Sequence, residues 1–227
     1  MIRHIPNLLS LSNLLCGFWA LLLNDPIWSP RLILLGALLD LTDGLAARKL
    51  RVSSALGTQL DSLADMVNFV VGPAYLYYHH VLGPSPMALV VVSALPFSGA
   101  IRLARYNVAH AEAKHFIGLA TPSVGLLIAF TAYAFVDQSF PTEVFHPSVL
   151  WSLPLLLALL MNAPIRMFTL KGIRSKPIAE RWLVYVFLAC IVLFAVLYEF
   201  ASLPLIILSY IVLSLVGHFS GAFSSDS

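Results

Sequence analysis

The chain has 227 residues, of which 59% are hydrophobic and only 11% are charged, and its mean hydropathy is +0.89. Soluble domains carry about 25% charged residues, so this composition excludes an ordinary soluble enzyme, a disordered protein and a nucleic-acid-binding protein. The net charge of +2 indicates no particular partner. The composition predicts a polytopic membrane protein, in which spans of about 20 residues limit the chain to eight or nine helices.

Apolar segments alternate with short breaks rich in proline, glycine, asparagine and aspartate, which are typical of turns. They predict an all-α bundle of about eight transmembrane helices in one membrane domain over residues 1–227. The sixth segment is short and is predicted to be broken at Pro154, and the last two predict a C-terminal helical hairpin at 181–219. The segments lie near residues 6–24, 31–50, 54–80, 86–108, 117–137, 148–163, 181–200 and 203–219.

Basic residues are distributed unevenly between the two sides of this predicted bundle. If eight segments alternate in direction, both termini lie on one side, and that side carries twelve of the thirteen lysine and arginine residues. The other side carries only Arg31. Because basic residues accumulate in cytoplasmic loops, this distribution predicts two cytoplasmic termini, and an arrangement of six spans would keep the same sidedness.

Four aspartates lie within 26 residues in or beside the second and third apolar segments. A carboxylate in the bilayer core costs at least ~2.5 kcal/mol, so four of them need compensation. Asp40 and Asp43 are three residues apart and share a helix face, and the later pair, Asp61 and Asp65, is four residues apart. The basic stretch between the two pairs predicts a cytoplasmic turn, where the two acidic faces meet.

Carboxylates without histidine or cysteine partners suit hard cations such as Mg²⁺, Mn²⁺ or Ca²⁺. Four of them can bridge two divalent ions, an arrangement that binds phosphates in displacement reactions. The neighbouring glycine and alanine residues would let a ligand approach the backbone, and Arg48 lies where a phosphate would arrive. Two alternatives are interhelical packing and a cation- or proton-coupled transporter. A cluster near the cytoplasmic turn, away from the bilayer midplane, favours the phosphate site.

The acidic stretch has a defined spacing, Asp40-x2-Asp43-Gly44-x2-Ala47-Arg48-x8-Gly57-x3-Asp61-x3-Asp65. At every defined position it resembles the signature of the CDP-alcohol phosphatidyltransferase family. The resemblance implies a membrane enzyme that transfers a phosphatidyl-type group from a CDP-linked lipid to an alcohol and releases CMP. It also implies a catalytic hairpin near residues 31–80, in which the four aspartates bind two ions, Mg²⁺ or Mn²⁺, and Asp65 is the general base. The CDP would be held by Gly44, Ala47, Arg48 and Gly57.

A second region points to the acceptor alcohol. Arg102 and Arg105 are three residues apart on one predicted helix face, and Lys114 follows in the next loop. Such residues are also ordinary flanking charges of a membrane helix, but an arginine fork matches the geometry of a carboxylate. A glycerol 3-phosphate acceptor would also match these cations, inositol has no charge to match, and choline would favour an aromatic cage. The tyrosines Tyr75, Tyr77 and Tyr78 instead predict anchors at the external membrane interface.

Three stretches of the chain resemble the phosphatidylserine synthase branch of this family. They are IPNLLSLSNLLCG near the N-terminus, RLARYN followed by Phe116-x-Gly118-Leu119-x-x-Pro122, and LLMNAPIRMFTLKG near residues 160–172. The resemblance implies CDP-diacylglycerol and serine as substrates, and a homodimer in the bacterial or archaeal cytoplasmic membrane, surrounded by lipid, with its site facing the cytoplasm. The acceptor site would then lie near residues 100–125 and include Arg102, Arg105, Asn107 and Lys114.

A polar stripe runs along the first apolar segment. Asn7, Ser10 and Asn13 recur every three residues and therefore share one side of a helix. They predict either hydrogen bonds between helices or a face turned toward the nucleotide or the acceptor. We assign Asn7 to the CDP site.

Overall fold

The computed structural model describes residues 5–50, 52, 54–109, 117–138, 140, 146–168 and 178–220. These residues form helices and no strand, apart from an isolated antiparallel bridge between Ile117 and Arg166. The all-α prediction is therefore confirmed. The helices are α1 (Ile5–Leu23), α2 (Trp28–Leu50), α3 (Ala55–Asp65), α4 (Gly72–Tyr77), α5 (Pro86–Ala109), α6 (Thr121–Asp137), α7 (Pro147–Asn162), α8 (Ile178–Tyr198) and α9 (Ser202–Phe219).

One short π-helical segment joins α3 and α4 into a longer helical run, and a second one extends this run beyond α4. The first, Met66–Val71, lies between α3 and α4, and the second, Tyr78–Leu82, follows α4. At the end of the first segment the Gly72 N–H donates to the Val67 carbonyl, five residues back. The next residue, Pro73, has no N–H to donate, and such sites commonly disturb the regular hydrogen-bond ladder of a helix. The π-helical segment begins directly after Asp65, and its wider turn changes the direction of the side chains that follow it.

Three segments among the described residues are long and apolar enough to cross a membrane: Ile5–Leu23, Pro86–Val108 and Arg181–Phe219. The last of these contains α8, α9 and the turn between them, and α6 and α7 are apolar but shorter. These segments identify the chain as an integral membrane protein. The number of about eight spans and the cytoplasmic location of both termini stay predictions.

The core of the bundle lies around α6. This helix contacts α2, α4, α7, α9 and the first π-helical segment. A helix that is apolar on most sides is buried on most sides, and the α6 side chains Leu127, Ile128 and Phe130 have no exposed surface. This helix approaches its neighbour closely at Gly125, where an added Cβ would lie 2.6 Å from the Phe69 Cα. Small residues at helix contacts allow such approaches between membrane helices.

Two local predictions differ from the structure. The sixth segment is not broken at Pro154, because α7 continues through it and the proline is buried. Membrane helices tolerate proline when neighbouring groups satisfy the freed backbone. Tyr77 is fully buried, and its hydroxyl donates to the Leu150 carbonyl at 2.9 Å. The prediction that Tyr77 is an interfacial anchor is therefore wrong.

Replacing Gly125 by valine is expected to lower the free energy of unfolding by about 1–3 kcal/mol, because the new side chain would overlap the Phe69 backbone. Thermal unfolding of the detergent-purified protein measures this effect. The matched control is Ala100→Val on α5, where the residue is exposed. An equal loss of stability in the two variants would contradict a tight contact at Gly125.

Candidate active site

A cavity of about 850 Å³ lies between α1, the C-terminal half of α2 and the first turns of α3. This volume lies within the range of about 300–1,000 Å³ that is typical of small-molecule sites. All of the proposed CDP-binding residues except Arg48 line it, together with two of the four aspartates. The lining residues with polar or small side chains include Asn7, Ser10, Asp43, Gly44, Ala47, Ser54, Gly57, Thr58 and Asp61.

The N-terminus of α3 forms one wall of this cavity. Ser54 is the N-cap, and its Oγ accepts a hydrogen bond from the Gly57 N–H at 3.0 Å. A Cβ on Gly57 would lie 3.1 Å from the Asn7 Oδ1, so glycine lets α1 approach this turn closely. The positive end of the helix dipole and the free backbone N–H groups of a first helical turn favour an anion such as a phosphate.

Three of the four aspartates converge. One carboxylate oxygen from each of Asp40, Asp61 and Asp65 lies within 4.8 Å of the others, and all three residues are half-buried. Like charges at this distance repel each other unless a cation lies between them. Mg²⁺ binds oxygens at about 2.0–2.1 Å and Ca²⁺ at about 2.3–2.6 Å, so oxygens this close need little adjustment to share an ion. The donor set therefore fits a hard divalent cation.

Asp43 stands apart from this triad. It is 6% exposed, and its Oδ2 accepts a hydrogen bond from the Ser10 Oγ at 2.6 Å. Ser10 and Asp43 both line the cavity, so a residue of α1 orients this carboxylate at the cavity wall. The next residue of the stripe, Asn13, lies deeper and donates to the Asp65 Oδ1 at 3.5 Å. The polar stripe on α1 thus both lines the cavity and makes hydrogen bonds to two of the four aspartates.

Arg102 lies in a buried position near the aspartates. It is 5% exposed, and its Nη1 donates to the Thr121 Oγ1 at 3.0 Å. The guanidinium lies over the Tyr106 ring, 4.5 Å from the ring centre, and acts electrostatically on Asp65. Its Nε and Nη2 are buried and have no hydrogen-bond partner among the described residues. Buried donors without partners are costly, and a guanidinium fork with two free donors suits a carboxylate or a phosphate.

The other predicted acceptor residues differ from Arg102. Arg105 is exposed, although its spacing placed both arginines on one face. Asn107 contacts α3: its Oδ1 accepts from the Ser62 Oγ at 3.0 Å, and its Nδ2 donates to the Gln59 Oε1 at 3.3 Å. Lys114 lies outside the described residues.

Arg48 is the one proposed CDP-binding residue that does not line the cavity. It is exposed, and its Nη1 would lie 3.8 Å from a Cβ built on Gly44. Its guanidinium therefore reaches back to Gly44, a residue of the cavity wall.

Several residues of the site were missed in the sequence. Thr121 pairs with Arg102, Ser54 caps α3, and Asn68 bonds to Asn13 at 2.8 Å. Ser54 carried a recognisable signal, since serine directly before a helix is a favoured N-cap. Thr121 and Asn68 carried none, because a single polar residue in an apolar helix has no partner until the packing of the helices is known.

Residues 3–162 match the family model described as CDP-alcohol phosphatidyltransferase. A Bacillus subtilis protein named CDP-diacylglycerol–serine O-phosphatidyltransferase is 36% identical over 138 residues, which are 59% of this chain and 77% of that protein. A Methanocaldococcus jannaschii protein of the same name is 39% identical over 124 residues, 55% of this chain and 58% of that protein. An archaetidylserine synthase from Methanothermobacter thermautotrophicus is 34% identical over 130 residues, 55% of this chain and 56% of that protein. The chain thus spans just over half the length of these archaeal relatives.

Mn²⁺ or Mg²⁺ is expected to raise the unfolding temperature of the purified protein. A ligand that binds only the folded state stabilises it by about 2.7 kcal/mol at one hundred times its Kd. The variant Asp61→Asn should lose most of this shift, whereas Asp137→Asn, at the exposed end of α6, should keep it. Differential scanning fluorimetry with and without a chelator measures the shifts. The same shift in Asp61→Asn as in the unchanged protein would exclude the triad as the cation site.

Proposed function

Because the chain belongs to the CDP-alcohol phosphatidyltransferase family, we propose that it transfers a phosphatidyl group from CDP-diacylglycerol to the hydroxyl of L-serine and releases CMP. The names of the Bacillus and Methanocaldococcus relatives support serine as the acceptor. The observation that carries the proposal is the convergence of Asp40, Asp61 and Asp65 beside a cavity lined by the small residues of the motif.

The CDP group of the donor is assigned to this cavity. Gly44, Ala47 and Gly57 leave room along two helix walls, where Asn7 can reach the nucleotide. The N-terminus of α3 provides backbone donors for a phosphate. Arg48 extends from the end of α2 beside Gly44, where its guanidinium can meet phosphate oxygens that enter from the surface.

The aspartates would hold the cations that this chemistry requires. Asp40, Asp61 and Asp65, with Asp43 at the cavity wall, would hold two ions, Mg²⁺ or Mn²⁺. When bound, such ions offset the repulsion of the carboxylates and stabilise negative charge on the phosphates. The Ser10 hydroxyl donates a hydrogen bond to the Asp43 Oδ2 and so fixes the orientation of this carboxylate, whose remaining lone pairs can bind a cation.

Serine is assigned to the buried Arg102. The Nε and Nη2 of Arg102 would donate hydrogen bonds to the serine carboxylate. Thr121, through a hydrogen bond, and Tyr106, through its ring, hold the guanidinium in place. The serine hydroxyl then attacks the phosphorus that carries the diacylglycerol. A new P–O bond forms as the bond from this phosphorus to the CMP oxygen breaks, and CMP leaves with the electron pair. The hydroxyl proton goes to the carboxylate of Asp65, on which Arg102 acts electrostatically.

The proposal also includes the setting of the enzyme. The asymmetric distribution of basic residues supports a site that faces the cytoplasm in a bacterial or archaeal cytoplasmic membrane, with both termini on that side. CDP-diacylglycerol then enters sideways from the inner leaflet, among membrane lipids. The homodimer implied by the family stays part of the proposal.

Replacing Asp65 or Asp61 by asparagine is expected to lower kcat for CMP release at least about a hundredfold, because the base or a cation ligand is lost. The assay follows CMP formed by the purified protein from CDP-diacylglycerol, serine and Mn²⁺. The exposed Asp137→Asn is the control and should keep full activity. Retained activity in both site variants would defeat the assignment, and ion flux into liposomes without CMP formation would favour a transporter.

Replacing Arg102 by lysine is expected to raise the KM for serine roughly ten- to hundredfold, with little change for CDP-diacylglycerol. The lysine keeps the charge but loses the fork, and a hydrogen bond to a charged group contributes about 1.5–3 kcal/mol. Arg105→Lys is the matched control, because Arg105 is exposed. If Arg102→Lys instead weakens the affinity for CDP-diacylglycerol alone, Arg102 binds the phosphates of the donor and the serine site lies elsewhere.

A further inference from the structure

We propose that Asn13 and Asn68 form a hydrogen-bonded relay that positions the carboxylate of Asp65 for cation binding and proton transfer, an inference that rests on the proposed function. Both residues are fully buried. Neither belongs to the acidic motif, and neither lines the cavity. They are positioning residues, because they act on the reaction only through Asp65.

The relay runs across three helical elements. The Asn68 Nδ2, in the first π-helical segment, donates to the Asn13 Oδ1 of α1 at 2.8 Å and to the Ile33 carbonyl of α2 at 3.2 Å. The Asn13 Nδ2 in turn faces the Asp65 Oδ1 at 3.5 Å. A backbone carbonyl on α2 is thus connected through two side-chain amides to the carboxylate.

The direction of these hydrogen bonds follows from Asp65. An ionised carboxylate only accepts, so Asn13 must turn its NH₂ group toward Asp65 and its oxygen away from it. That oxygen needs a donor, which the NH₂ group of Asn68 supplies. The same NH₂ group is held a second time by the carbonyl of Ile33, which is also only an acceptor. Each amide therefore has one favourable orientation, and that orientation points an N–H at the carboxylate.

Two glycines let the backbones of α1 and α2 lie directly against the two amides. A Cβ on Gly36 would lie 2.2 Å from the Asn68 Nδ2 and 2.7 Å from the Asn13 Oδ1. A Cβ on Gly17 would lie 2.5 Å from the Asn68 Cα. The glycines of α1 and α2 thus enclose Asn68 on two sides, so that the packing of the bundle fixes the amide.

The position of Asn68 also links the relay to the backbone near Asp65. Asp65 is the last residue of α3, and the π-helical segment that starts at Met66 contains Asn68. π-helical turns often occur at functional sites, where they redirect side chains. Here the turn directs Asn68 into the contact between α1 and α2. The Asp65 carboxylate is thus attached to the end of α3 and accepts a hydrogen bond from Asn13 of α1.

Such support has a measurable consequence. Groups that orient a cation ligand without touching the cation typically change metal affinity or activity by about 10–100-fold when they are removed. Asn13→Ala removes the donor to Asp65. Asn68→Ala leaves that donor in place but removes the group that orients it. Because both residues belong to one chain of hydrogen bonds, their effects should not add. We expect the double variant to bind Mn²⁺ no more weakly than the single variant with the lower Mn²⁺ affinity.

The experiment compares Mn²⁺ affinity and turnover in the purified 227-residue chain in detergent. Mn²⁺ binding to the metal-free protein is titrated by electron paramagnetic resonance, and kcat and KM are measured from CMP release. The matched control is Asn162→Ala, since the Asn162 amide also joins two helices: its Nδ2 donates to the Ser98 carbonyl at 3.0 Å, between α7 and α5. Thermal unfolding reports the stability of every variant.

We expect Asn13→Ala and Asn68→Ala each to raise the Kd for Mn²⁺ about tenfold or more and to lower kcat similarly, with an unchanged KM for serine. Asn162→Ala should lose stability but keep the Kd and kcat of the unchanged protein. If one alanine variant fails to fold, the other still interrupts the relay. The relay is overturned if both variants bind Mn²⁺ normally, or if Asn162→Ala shows an equal loss. An unchanged protein that binds no Mn²⁺ and releases no CMP would overturn the proposed function itself.

Discussion

Repulsion between carboxylates in an apolar bundle is the constraint on which the arrangement of α1, α2 and α3 depends. Three carboxylate oxygens of half-buried residues lie within 4.8 Å of one another, a distance at which like charges repel each other. Hydrogen-bond donors and a positively charged group on neighbouring helices stabilise the aspartate carboxylates against this repulsion. Ser10 and Asn13 donate from α1, and the guanidinium of Arg102 approaches from α5. A site of this kind is stable only when the helices that carry these groups are held in close contact.

Close contact in turn depends on the absence of side chains at a few positions. Gly17 and Gly36 leave room for Asn68, and Gly125 lets α6 approach the backbone at Phe69. Hydrophobic attraction gives little preference for one helix contact over another in a bilayer, since lipid tails are as apolar as the side chains. Shape and polar pairing then decide which helices meet. The glycines and the buried amides provide these two features at the same place, next to Asp65.

The sequence predicted the helices and the neighbourhood of the aspartates because both follow from local rules. Residues three or four apart share a helix face, and a short basic turn brings two faces together, so Asp40, Asp61 and Asp65 could be expected to meet. Arg102 and Arg105 share a face by the same rule, yet only Arg102 is buried, because α6 brings Thr121 to it. The role of Asn68 depends on which helices pack against it and on a π-helical turn. Neither the packing of these helices nor the π-helical turn can be predicted from the spacing of residues in the sequence.

The π-helical segment after Asp65 also bears on how this chain can vary in length. A π-helical turn contains one residue more than an α-helical turn of the same rise, so it corresponds to a one-residue insertion in a helix. Deleting one residue between Met66 and Val71 would allow a regular α-helix with about the same rise, so the part of the helix that follows would keep its direction relative to α3. Tyr77 would then stay near the Leu150 carbonyl, whereas the π-helical turn that directs Asn68 toward α1 and α2 would be lost. A one-residue deletion here should therefore preserve the packing of the bundle and disturb the surroundings of Asp65, even though the segment contains no residue of the acidic motif.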